Sequence, residues 1–89
     1  MSAQELIVPT LLVVGPYRFF IFMGDCAERP HVHVEGGGGG EAQVWLEPSV
    51  RLAATRGYTR GEIPRIIEIV ADHRVTLAAR WDDACGGRR

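Results

Sequence analysis

Apolar and polar residues alternate strictly over Arg29-Pro30-His31-Val32-His33-Val34-Glu35 and again over Glu41-Ala42-Gln43-Val44-Trp45-Leu46-Glu47. Successive side chains of a strand point to opposite faces, so the pattern predicts two strands, His31–Glu35 and Glu41–Glu47. With Gly36–Gly40 as the whole loop they form a hairpin in which Glu35 faces Glu41, His33 faces Gln43 and His31 faces Trp45. Val32, Val34, Ala42, Val44 and Leu46 then share an apolar face. His31, His33, Glu35, Glu41, Gln43, Trp45 and Glu47 share a polar one. Two opposed glutamates repel, so the tip either frays or holds a cation between them. Five consecutive glycines favour fraying.

Upstream, Leu6–Val14 reads as a first strand interrupted at Pro9, and Gly15-Pro16 as a turn. Tyr17–Met23 is aromatic and β-favouring, a second strand buried on much of both faces. Gly24–Pro30 is a polar loop. Downstream, Pro48 ends the sheet region and Ser49–Arg56 predicts a short helix closed by Gly57. Thr59-Arg60-Gly61-Glu62 fits a capping box, followed by apolar residues at 63, 66, 67, 70, 77, 78 and 81. That spacing predicts one long helix from Gly61 to about Asp83, with Pro64 in its first turns, Arg74 inside the apolar stripe and His73 on its edge. The reading is an α+β domain: a four-stranded, mostly antiparallel sheet, then a short helix and one long C-terminal helix packed on one face. It is a single domain over 1–89, ordered over about 6–83, with a loose start and a polar tail at 84–89.

Composition changes this picture little. An 89-residue chain has a small core and modest stability. Its net charge of −1 leaves no overall electrostatic footprint for nucleic acid or an anionic membrane. All ten basic residues are Arg, whose planar fork suits carboxylate and phosphate. Leu6–Val14 is neither a signal peptide nor long enough to span a bilayer, which points to a cytoplasmic protein. Cys26 and Cys85 are too few and too far apart for a disulfide framework, and a reducing compartment would keep them as thiols.

Three chemistries compete for the polar face. Histidines on alternate strand positions lie about 6.6 Å apart at Cα, so His31 and His33 can share one zinc or iron. Glu35, roughly 13 Å from His31 along the strand, cannot easily join them, and Glu47, Cys26 or His73 would have to complete the set. Alternatively, one neutral and one protonated imidazole can flank a phosphodiester as base and acid, with Arg18, Arg29 or Arg74 holding the developing charge. The three glutamates on the face oppose RNA binding. The plainest alternative is a polar face whose histidines bond their neighbours. Arg74 on an apolar stripe must snorkel or meet a carboxylate, most simply a strand glutamate. The glycine run enters a strand, with no Lys after it, and so fails as a P-loop. Ser49–Arg56, Gly57 and the capped helix also suit a helix-turn-helix with Arg60 and Arg65 near the start of a recognition helix, but no third helix supports the pair. Trp45 fits a partner-binding or base-stacking surface better than a core.

Tyr17-Arg18-Phe19-Phe20, Pro30-His31-Val32-His33-Val34-Glu35, Ala42 with Trp45-Leu46-Glu47-Pro48, and Gly57-Tyr58-Thr59 before a helix ending in Trp81 resemble a family of small prokaryotic proteins. That family is catalogued as domain of unknown function 4160, and the resemblance spans about residues 9–83. It departs from the usual pattern in the five-glycine loop and in Pro64. The resemblance implies one component of a two-gene, toxin–antitoxin-like module and carries over no catalytic residues; with the acid–base reading of the residues it gives the toxin-side partner, acting on RNA through a His/Arg face. The implied partners are a small protein from an adjacent gene, RNA or a second copy of the chain, with no membrane. On that reading His31, His33 and Arg74 are the catalytic candidates, as a metal-free ribonuclease. Arg18, Arg29, Glu35, Gln43 and Trp45 are the partner- or ligand-binding candidates. No cofactor is expected, and zinc or iron on His31 and His33 belongs to the alternative, a small metal- or ligand-binding module. A third reading is a structural or DNA-binding accessory subunit.

Overall fold

The computed structural model describes residues 8–86. Five antiparallel strands form a meander in sequence order: β1 (Thr10–Val14), β2 (Tyr17–Phe20), β3 (His31–Gly36), β4 (Gly40–Trp45) and β5 (Arg51–Arg56). A one-turn 3-10 segment, Met23–Ala27, lies between β2 and β3. Two helices follow, α1 (Glu62–Asp72) and α2 (Arg74–Ala84). They bury Ile66, Ile69, Val70, Leu77 and Trp81 against the sheet face that carries Phe19, Ile21, Val32, Val34, Val44 and Leu46. Among the described residues no helix is long and apolar enough to cross a membrane.

The β3–β4 hairpin has the expected register, with His31 opposite Trp45, His33 opposite Gln43 and Glu35 opposite Glu41. The tip neither frays nor needs a cation between its glutamates. Arg18 reaches Glu35 at 3.0 Å from β2, and Arg56 pairs with Glu41 at 2.6 Å from β5. Each glutamate is therefore neutralised by the strand on its outer side. The glycine loop is also held. Gly38 N donates to Glu62 Oε2 at 2.9 Å, and Tyr17 Oη–H donates to the same oxygen at 3.1 Å. Thr59 Oγ1 accepts from Glu62 N as a capping hydroxyl should, and the Glu62 carboxylate bonds both Thr59 and the hairpin. A Cβ at Gly38 would fall 2.4 Å from the Glu62 carboxylate, so a larger residue there would push the glutamate aside and weaken the clamp.

The bond from Gly38 N, followed by those from Tyr17 and Thr59, holds the Glu62 carboxyl below its ordinary value of 4.5 against an opposing effect of burial. A carboxyl depressed in the folded state contributes stability above its unfolded pKa and loses it as pH falls through the folded value. Melting of the parent protein should therefore fall more between pH 7 and pH 3 than melting of Glu62→Gln. Equal acid losses in the two proteins would show that the clamp does not form.

Several expectations about the fold are corrected. Ser49–Arg56 is not a helix. It contains β5, a fifth strand whose six residues are all exposed, because the free edge of β4 offers a ladder that an Ala-containing stretch fills. This removes the first helix of the supposed helix-turn-helix. Gly57 keeps its positive φ of 84°, but at the end of a strand, where it passes close to Gly40. The long helix is two helices. His73 leaves helical geometry (φ −110°, ψ 18°), and its Nδ1–H donates to the carbonyl of Ile69 at 2.9 Å, a side-chain bond that competes with the backbone ladder. The break does not change the apolar period, because residues eleven apart lie within about 20° on a helix. Ile66 and Leu77 thus share a face with or without it.

Arg74 is the third correction. It starts α2, is exposed, and donates Nε–H to the Leu46 carbonyl at 2.9 Å instead of meeting a strand glutamate. The cysteines, expected as thiols, form the disulfide Cys26–Cys85 with Cα atoms 5.4 Å apart. Cys85, assigned to a loose tail, is buried where α2 ends. The expected strand residues Leu6 and Ile7 and the tail residues 87–89 lie outside the described residues.

Candidate histidine–carboxylate site

At the start of β3 the polar face closes over itself. His31 is fully buried, ringed by Trp45 at 5.3 Å, Trp81 at 5.5 Å and His33 at 5.3 Å between centroids. Its Nδ1–H donates to the carbonyl of Arg29 at 2.8 Å, which leaves Nε2 as the free nitrogen of the ring. His33, two residues on, keeps 22% of its side chain exposed between Phe20 and Phe22.

Both Nε2 atoms converge on one carboxylate. Asp25 Oδ2 lies 2.9 Å from His33 Nε2, and Asp25 Oδ1 lies 3.4 Å from His31 Nε2. The second distance is too long for a good hydrogen bond, and His31 Nε2 has no hydrogen-bond partner among the described residues. Asp25 is positioned by its own turn. Phe22 N donates to Oδ2 at 2.9 Å, and Asp25 N donates to the Phe22 carbonyl at 2.9 Å. The adjacent Cys26 ties that turn to the end of α2. Asp25, His31 and His33 each offer one ligand atom, and these atoms all lie within 4.8 Å of one another.

Beyond His33 the face opens into a cavity of about 460 Å³ lined by Phe20, Phe22, His33, Gln43, Thr55 and Arg56, among others. Its size lies within the range of small-molecule sites. Phe22 is 47% exposed at its rim. At the other end of the face the Arg29 guanidinium lies 3.9 Å from the Trp45 ring centroid.

The sequence candidates separate accordingly. His31, His33 and Trp45 come together, with Arg29 over the tryptophan and Gln43 opposite His33. Glu35 and Arg18 bind each other, and Arg18 also donates to Thr10 Oγ1 and lies over Phe20. Arg74 bonds Leu46 and touches neither imidazole. His31 is sealed from solvent, so the two imidazoles do not flank one open position. Of the extra ligands considered, Cys26 is in a disulfide and His73 bonds Ile69. Asp25 was the residue sequence reasoning missed. The available signal was the loop itself: ten residues, 21–30, return the chain from the end of β2 to the start of β3, and they carry two acids, Asp25 and Glu28, of which Asp25 lies against the histidines.

The family model described as Domain of unknown function (DUF4160) matches residues 17–82, most of the chain, and the protein belongs to that family. No curated protein matches the chain, and no solved structure does.

Proposed function

We propose that this member of the DUF4160 family is the toxin-side component of a two-gene, toxin–antitoxin-like module, engaging a small partner protein and RNA through the sheet face turned away from the helices. One observation carries this reading. With α1 and α2 covering the other face, the open face keeps an exposed Phe22 beside a cavity at one end and an Arg29–Trp45 stack at the other. Exposed aromatic rings and guanidinium planes are what splayed bases stack on, and they are also enriched in protein interfaces. The glutamates on this face present less negative charge to RNA than the sequence suggests, because Glu35 and Glu41 are each paired to an arginine. The exposed edge of β5 offers a partner strand a free ladder. A bacterial setting belongs to the same reading.

Induced expression of the chain alone should arrest growth, and co-expression of the neighbouring gene should relieve the arrest and yield a co-purifying complex. Phe22→Ala with Trp45→Ala should abolish the arrest while leaving the circular dichroism spectrum unchanged. Unimpeded growth together with no complex would overturn the proposal.

A further inference from the structure

We propose that Asp25, His31 and His33 form a binding site for a divalent transition metal of the zinc and ferrous iron class. This is independent of the partner and RNA reading above.

The first observation is the orphaned nitrogen. His31 gives its Nδ1–H to the Arg29 carbonyl, which is the usual way a protein orients a metal-binding imidazole and fixes its tautomer. The Nε2 lone pair then points at Asp25 Oδ1 across 3.4 Å, fully buried and without a hydrogen-bond partner. A lone pair facing a carboxylate oxygen in a site closed to water is unfavourable unless a cation lies between them.

The second observation is the donor set. Two imidazole nitrogens and one carboxylate oxygen lie within 4.8 Å of one another. Bonds of about 2.0–2.2 Å to a common ion place ligand atoms roughly 3–4 Å apart, so small side-chain shifts close the set. Two nitrogens with one carboxylate suit zinc or ferrous iron, whereas magnesium and calcium prefer oxygen ligands.

The third is the support behind each ligand. The Arg29 carbonyl holds His31, the Phe22 N–H holds Asp25, and the Cys26–Cys85 bond anchors the Asp25 turn. Such outer partners are the usual accompaniment of metal ligands. Of the three residues His33 is the most exposed and lines the cavity, so a further ligand would reach the ion from that side. Three protein ligands with an open fourth position is the pattern of catalytic metal sites rather than closed structural ones.

The test uses the untagged full-length chain with its disulfide intact, stripped with chelator and titrated separately with Zn²⁺, Co²⁺ and, without oxygen, Fe²⁺. Isothermal titration should show one equivalent bound, the Co²⁺ complex should show visible d–d absorption, and melting should rise with metal. Asp25→Asn and His33→Gln, both of which keep side-chain length, should each weaken binding at least tenfold with folded circular dichroism spectra. The proposal is overturned by no stoichiometric binding of any of the three metals, or by binding that both variants leave unchanged.

Discussion

Replacing Cys26 and Cys85 together by Ser should lower the stability of the fold by about 4 kcal/mol. The bond joins positions 59 apart in sequence, and closing a loop of that length in the unfolded chain removes about that much conformational freedom by the chain-entropy relation. Both cysteines are buried, so the new hydroxyls add to the loss unless they find partners. The effect is large for a domain of this size, whose total stability belongs at the low end of the usual 5–15 kcal/mol. Guanidinium unfolding of oxidised parent, reduced parent and double variant measures it, and the double variant should be no more stable than the reduced parent. A difference below about 1 kcal/mol would show that the bond constrains little. The consequence reaches the histidines, because Asp25 precedes Cys26 in the tethered turn. The reduced protein should show faster amide exchange over Met23–Ala27 than over β3.

The contrast between what was legible in the sequence and what was not follows the range of each interaction. The β3–β4 hairpin was readable to the residue because its period-two pattern and its five glycines are local. The aromatic β2 was readable for the same reason. Arg51–Arg56 was misread because nothing in it alternates between core and solvent. It is a strand by virtue of the edge of β4, a tertiary fact that overrides the local propensity of its alanines. The break at His73 was hidden because Ile66, Val70, Leu77 and Trp81 keep one face of a continuous 3.6-residue period through it. Within the site, the pairing of His31 and His33 on one face came from alternation, whereas Asp25 and the Cys26–Cys85 bond depend on how a loop folds back over a sheet. Arg74, at the start of α2, bonds the Leu46 carbonyl rather than the strand glutamate that its place on the stripe suggested.

Trp81→Ala should cost about 3–5 kcal/mol, the range for deleting a buried Phe or Trp. Trp81 is fully buried, and with Leu77 and Cys85 it forms the i, i+4, i+8 row by which α2 meets the sheet and the Asp25 turn. Among the described residues its indole N–H has no hydrogen-bond partner, so truncation orphans no acceptor there and the cost is lost burial plus the cavity that remains. For a domain of this length, melting should fall by more than about 10 °C. Trp81→Phe keeps a ring against His31 and should recover a large part of the loss. The same truncation removes one wall of the His31 pocket, so water should reach Nε2 and a carboxylate that it now faces alone. Thermal and guanidinium unfolding of the three proteins, with the histidine ring signals followed by NMR, measures both effects. A loss below about 1 kcal/mol, or a Phe variant no more stable than the Ala variant, would mean that Trp81 does not close the core over His31.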